Sequence, residues 1–93
     1  MKVVITRAAE RDLAEIQAYI AQDNVRAADR FIQRLLTACE ALSTQSRRYP
    51  ATVQDMRKRP LGDYLIFYRL TTHVDVVRIL HAARDWTRLL DGD

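Results

Sequence analysis

One cysteine, two glycines, two prolines, two histidines and two serines leave little room for familiar catalytic chemistry in 93 residues. Gly62 is the only glycine away from the C-terminus, which excludes a Walker loop and a G-x-G-x-x-G phosphate cradle. Cys39 stands alone, so neither an internal disulfide nor a multi-cysteine zinc site is available. His73 and His81 do not fall in H-E-x-x-H, and Ser43 and Ser46 do not fall in G-x-S-x-G. Neither a metal nor a cofactor is expected. No run approaches the length of apolar chain that spans a bilayer. Met1 to Arg11 lacks an apolar leader core and reads as mature chain. With one unpaired cysteine, the expected location is the reducing cytoplasm.

What is present is arginine. Thirteen of the fifteen basic residues are Arg, and the formal net charge is +3. The excess is uneven. Residues 1–46 carry six basic and six acidic side chains, whereas residues 47–84 carry eight and three. Guanidinium forks suit phosphate and carboxylate, so the basic half points to an anionic partner, nucleic acid or an acidic protein segment. The competing explanation is a genome that writes arginine for lysine.

The hydrophobic pattern changes period twice. Lys2 to Thr6 is a short β-rich run. Ala9, Leu13, Ile16 and Ile20 then recur at helical spacing, predicting a helix over about 7–22. After a polar break at Gln22-Asp23-Asn24, the stripe Ala28, Ile32, Leu35, Cys39 and Leu42 predicts a second helix over about 25–45. So short a link makes an αα-hairpin. Cys39 on that stripe reads as a buried, inert thiol. Residues 43–55 lose periodicity. Met56 to Arg59 reads as a basic edge strand ended by Pro60, with a turn at Pro60–Asp63. Tyr64 to Leu70 reads as a central strand and Val74 to His81 as a second inner one. A turn or two of helix follows Trp86.

The order is β-α-α-β-β-β, an α+β fold in a single domain, 1–93. Its helical hairpin packs on one face of a small, mainly antiparallel sheet. The basic residues of the late strands should crowd the opposite face. Arg69 and Arg78, interrupting apolar strands, should each lie on that face or pair with a carboxylate. Tyr64 and Tyr68 would be available there for stacking on bases. If the chain cut RNA, His81, Arg84 and Lys58 would be the candidate groups. The plainer reading of His81 is a strand-end histidine bonded to backbone. Arg26, Arg30 and Arg34, at i, i+4 and i+8, form either a solvated ridge or a contact surface for an acidic partner.

The segments "AERDLAEIQAYIAQDN", "AADRFIQRLLTACEAL", "MRKRPLGDYLIFYRL" and "VVRILHAARD", with the Leu-Leu end, occur in an order and spacing that resembles the ParE branch of the RelE/ParE toxin superfamily. The resemblance covers nearly the whole chain. It implies a cytoplasmic toxin held by a cognate antitoxin, ParD-like or similar, and acting on DNA gyrase by protein–protein binding. RelE-like relatives instead cleave mRNA on the ribosome. Members of that nuclease branch carry an arginine directly after the tyrosine that opens the central strand, and Leu65 stands there in this chain. They also tend to have a tyrosine near the C-terminus, and none follows Tyr68. Arg84 matches a basic nuclease position. Losing one transition-state donor commonly costs about 10²–10³ in rate. A gyrase-poisoning toxin is therefore expected in preference to a ribosome-dependent nuclease. Arg57, Arg59, Arg69, His81 and Arg84 are the expected target contacts. Arg26, Arg30 and Arg34 are the expected contacts for an acidic C-terminal antitoxin segment docking helix-in-groove.

Overall fold

A computed structural model describes residues 1–90. Strand β1 (Val3–Ile5) leads into α1 (Arg7–Ala21), and a three-residue break leads to α2 (Val25–Gln45). Each helix opens where a side-chain oxygen takes a free N–H. Thr6 accepts from Ala9 at 3.2 Å, and Asn24 accepts from Ala27 at 3.0 Å. Three strands follow: β2 (Arg57–Leu61), β3 (Tyr64–Leu70) and β4 (Val74–His81), then the short α3 (Trp86–Leu90). The expected order and fold class are both present.

The sheet order is β1-β4-β3-β2. β2, β3 and β4 form an antiparallel meander, and β1 joins its far edge parallel to β4. A strand this short finds backbone partners only by docking on an existing sheet. Val74 N–H donates to Lys2 C=O at 2.8 Å, and Thr6 N–H to Val76 C=O at 3.1 Å.

The two faces of the sheet are both covered. On the near face, Ile66, Tyr68, Val74, Val76 and Ile79 pack with Ala9, Ile16, Leu35, Ala38, Cys39 and Leu42 of the helical hairpin. On the far face, Leu65, Phe67 and Leu80 pack with Met56 and with Leu90 of α3, flanked by Trp86. The exposed basic face expected opposite the hairpin is therefore a second apolar core. Alternation along β3 feeds both cores, which is why that strand reads as continuously apolar.

Two further expectations change. Pro60 does not end β2, which runs on to Leu61. β3 is the only strand beside it, with one further bridge from Arg57 to Ala51 at its start, and its bonded positions alternate back from the Leu61–Tyr64 pair at the hairpin. Residue 60 thus turns its nitrogen outward, where a missing N–H costs nothing. The turn is accordingly only Gly62 and Asp63, with Gly62 at φ 57°, a conformation glycine adopts freely. Tyr68 is fully buried, and its hydroxyl donates to the Ser46 carbonyl at 2.6 Å, so it is a core residue and not a stacking platform.

Candidate functional site

Where β1 ends at Ile5, α1 leaves the sheet and a cleft opens between α1 and the last residues of β4. The cleft has a volume of about 770 Å³. Ile16, Ile20, Phe31 and Tyr64 form its apolar wall, with Glu15, Asp63, His81 and Arg84 among its polar lining. Tyr64 sits between two rings. Phe31 lies 5.5 Å away, and His81 meets it edge-on at 5.1 Å. Burial, reinforced by Tyr19 and Asp63 nearby, holds the Tyr64 hydroxyl above its ordinary pKa. The His81 Nδ1 accepts the Ala83 N–H at 3.0 Å, so in this arrangement the ring's Nε2 is the nitrogen free to carry the proton.

One buried carboxylate, Asp12 of α1, lines the cleft. Asp12 is only 5% exposed. Its Oδ2 accepts from Arg78 Nε and from Ile79 N–H, both at 2.8 Å, and its Oδ1 accepts from Arg78 NH2 at 3.0 Å. This bidentate pairing raises the Arg78 pKa further, through the hydrogen bonds first. Arg78 thus meets the expectation that it pair with a carboxylate. Asp12 belongs to no motif in the sequence, although it sits on the helical stripe at i+3 from Ala9. A carboxylate on an apolar stripe and a lone arginine in an apolar strand are the two halves of one signal.

The other basic residues scatter. Arg57 and Arg59 turn to the hairpin side of the sheet. Arg57 donates to the Tyr49 carbonyl at 2.6 Å and the Arg47 carbonyl at 3.4 Å, and Arg59 to the Ala38 carbonyl at 2.8 Å. Arg59 also lies over the Tyr49 ring at 5.6 Å. Lys58 points to the other face, its ammonium 5.0 Å from the centre of the Trp86 ring. Arg69 stands across from Asp75, whose carboxylate takes His73 Nε2 at 2.8 Å. Arg84 is exposed in the turn after β4, and its N–H donates to the His81 carbonyl at 3.0 Å. His81 and Arg84 therefore share the cleft, while Lys58 lies on the opposite side of the sheet. Arg26, Arg30 and Arg34 are exposed along α2, with Arg34 stacked at 5.7 Å on Phe31. A smaller groove beside Arg34 and Arg59 runs between α2 and β2. Cys39 is buried, and burial pushes its pKa to about 11. Among the described residues, no group of three His, Cys, Asp or Glu side chains is placed to hold a metal ion. No helix of the described chain is long and apolar enough to cross a membrane.

A strand, a helical hairpin and a three-strand meander closed by a short helix also define a known protein class. The family model of the ParE toxin of the type II toxin–antitoxin system parDE matches residues 3–86. The chain is 36% identical over 92 residues to the protein named "Putative toxin Y4kP" of Sinorhizobium fredii, covering 91% of this chain and 92% of that one. Its fold superposes with a TM-score of 0.77 on a chain of the chromosomal ParDE system from P. aeruginosa, at 20% identity, covering 87% of this chain and 95% of that chain. A chain of the toxin–antitoxin complex RelBE2 from Mycobacterium tuberculosis gives 0.67 at 20% identity, covering 86% and 95%. At that identity the two structures speak to the fold alone. On the family match and the sequence relative, this chain belongs to the ParE family of type II toxin–antitoxin toxins.

Proposed function

We propose that this toxin acts by binding DNA gyrase through its protein surface, without chemistry of its own, and that a ParD-like antitoxin with an acidic C-terminal segment neutralises it in the cytoplasm. One observation carries the non-catalytic part. The three groups nearest to a nuclease set do not converge, since His81 and Arg84 line the cleft under the helical hairpin while Lys58 lies against Trp86 on the far face. A phosphodiester cannot meet all three at once. Leu65, at the position where RNA-cutting relatives carry an arginine, is a buried member of the far-face core. The family match supports the antitoxin, and the exposed ridge Arg26, Arg30 and Arg34 supplies charge for its acidic segment.

Of the five expected target contacts, Arg69, His81 and Arg84 keep a claim on gyrase. Arg57 and Arg59 contribute through the loop and helix carbonyls they hold. The test is supercoiling by purified gyrase with increasing toxin. Inhibition relieved by antitoxin is expected, and normal supercoiling at saturating toxin rejects this target. Cleavage of mRNA in the ribosomal A site would establish the nuclease reading instead.

A further inference from the structure

We infer that the cleft beside β4 accepts one extended segment of the antitoxin as an added strand, parallel to β4 and continuing the lane that β1 begins. The inference rests on the antitoxin reading above and departs from the helix-in-groove docking expected from the sequence, because this cleft is bordered by a strand edge of β4.

The backbone dictates the geometry. β1 pairs with β4 only at Val74, Asp75 and Val76, and past that point no strand lies on this side of β4 among the described residues. Between Phe67 and Tyr68 the register with β3 slips by one, so the outward-facing positions of β4 change from 74 and 76 to 79 and 81. Two bonds confirm the parity. Ala82 N–H donates to Asp63 C=O at 2.8 Å, which makes Tyr64–His81 a pair whose own N–H and C=O groups turn away from each other. Ile79 N–H turns outward and is taken by Asp12.

Of the four outward groups at Ile79 and His81, two are already used. Asp12 takes the Ile79 N–H, and Arg84 N–H occupies the His81 carbonyl. The Ile79 C=O and the His81 N–H are left facing the cleft. They flank Leu80. A single residue laid opposite Leu80 in a parallel strand donates its N–H to the first and accepts from the second, breaking no existing bond. An antiparallel strand would need the Ile79 N–H or the His81 C=O to complete either bonded pair. The site is therefore selective for one strand direction.

The side chains specify the segment. A residue opposite Leu80 points to the far face, so its two neighbours point to the near face, toward Ile16, Phe31 and Tyr64. Those two positions are apolar. The exit of the lane is marked by the exposed guanidinium of Arg84, which fits an acidic residue just C-terminal to them. The predicted element is apolar-x-apolar followed by an acid, consistent with the acidic segment on which the antitoxin reading relies.

The experiment uses the full chain and the purified protein encoded by the neighbouring reading frame. Residue-resolved amide exchange is measured with and without it, and affinity is compared for His81→Pro and His81→Ala. Proline removes the N–H at an outward position, whereas alanine keeps it. At least tenfold slower exchange at His81 on binding is expected, with the proline variant binding about tenfold more weakly than the alanine variant. Wild-type exchange decides the matter if the proline variant does not fold. Tight binding with unchanged His81 exchange overturns the added strand and leaves the antitoxin reading standing. No binding by the wild-type chain overturns the antitoxin reading itself.

Discussion

Asp12 and Arg78, 66 residues apart, hold α1 against the sheet through a two-pronged ion pair with contacts of 2.8 and 3.0 Å. The same carboxylate takes the Ile79 N–H, so one buried group satisfies both a side chain and an open strand edge. This is the contact that ends β1's lane and begins the cleft.

Removing that carboxylate should therefore be costly. Asp12→Ala leaves a guanidinium and a backbone donor unpaired. Breaking a buried pair costs about 3–5 kcal/mol. The Arg78 side chain is 25% exposed, which lowers the expected loss to about 2–3 kcal/mol. For a domain of this size that is a fall in Tm of roughly 10–20 °C. Asp12→Asn, which keeps an acceptor, should fall between. Urea unfolding of Asp12→Ala, Arg78→Met and the double variant checks the coupling. Additive losses would show that the two side chains do not act as a pair.

The helices were legible from their 3.6-residue stripes, such as Ala9–Ile20, and β3 from its unbroken apolar run, Tyr64–Leu70, which feeds both cores. The destination of the arginines was not. Alternation assigns Arg57 and Arg59 to one face and Lys58 to the other, but it does not say which face a helix covers. Nor does it show that α3, five residues long, closes the far face with Trp86 and Leu90. The Phe67/Tyr68 register slip has no sequence signature, since neither strand carries a glycine there. Without it the outward groups of β4 would fall on even positions and the cleft edge would be lost.

The exposed ridge of α2 should govern encounter with the antitoxin and leave the fold alone. Arg26→Glu combined with Arg30→Glu reverses the charge at two exposed positions, neither of them ion-paired among the described residues. Stopped-flow association at low salt is expected to slow about tenfold, with the gap closing as the Debye length shrinks at high salt. Stability should shift by no more than ~0.5 kcal/mol. A rate insensitive to both charge and salt would remove electrostatics from this encounter.

Alkaline stability should report on Cys39. Its pKa is raised from 9.0 to about 11 by burial, so the folded chain holds a proton that the unfolded chain has lost. The contribution is fully present below pH 9 and disappears as pH rises towards 11. The slope is about 1.4 kcal/mol per pH unit in that window, or roughly 2–3 kcal/mol across it. Cys39→Ala should flatten this loss relative to wild type in denaturant titrations between pH 8 and 11. Iodoacetamide should also label the native thiol far more slowly than the unfolded one. Equal alkaline slopes in the two proteins would rule out the thiol as the source.

Leu65 tests whether the absent arginine can simply be restored. The side chain is 8% exposed and packs with Phe67, Leu80 and Leu90 beneath α3. Leu65→Ala opens a cavity at a cost of about 2–4 kcal/mol. Leu65→Arg must instead bury a charge or lift α3 off the sheet, and is expected to destabilise more than alanine does. Even if α3 yields, the new guanidinium joins Lys58 on the far face and stays separated from His81 by the sheet. Melting curves and an A-site cleavage assay on the same variant decide it. Cleavage by a folded Leu65→Arg protein, with none by the native chain, would mean that a cutting centre assembles on the far face without His81; the argument from non-converging groups would then fall, and Leu65 alone would account for the missing activity.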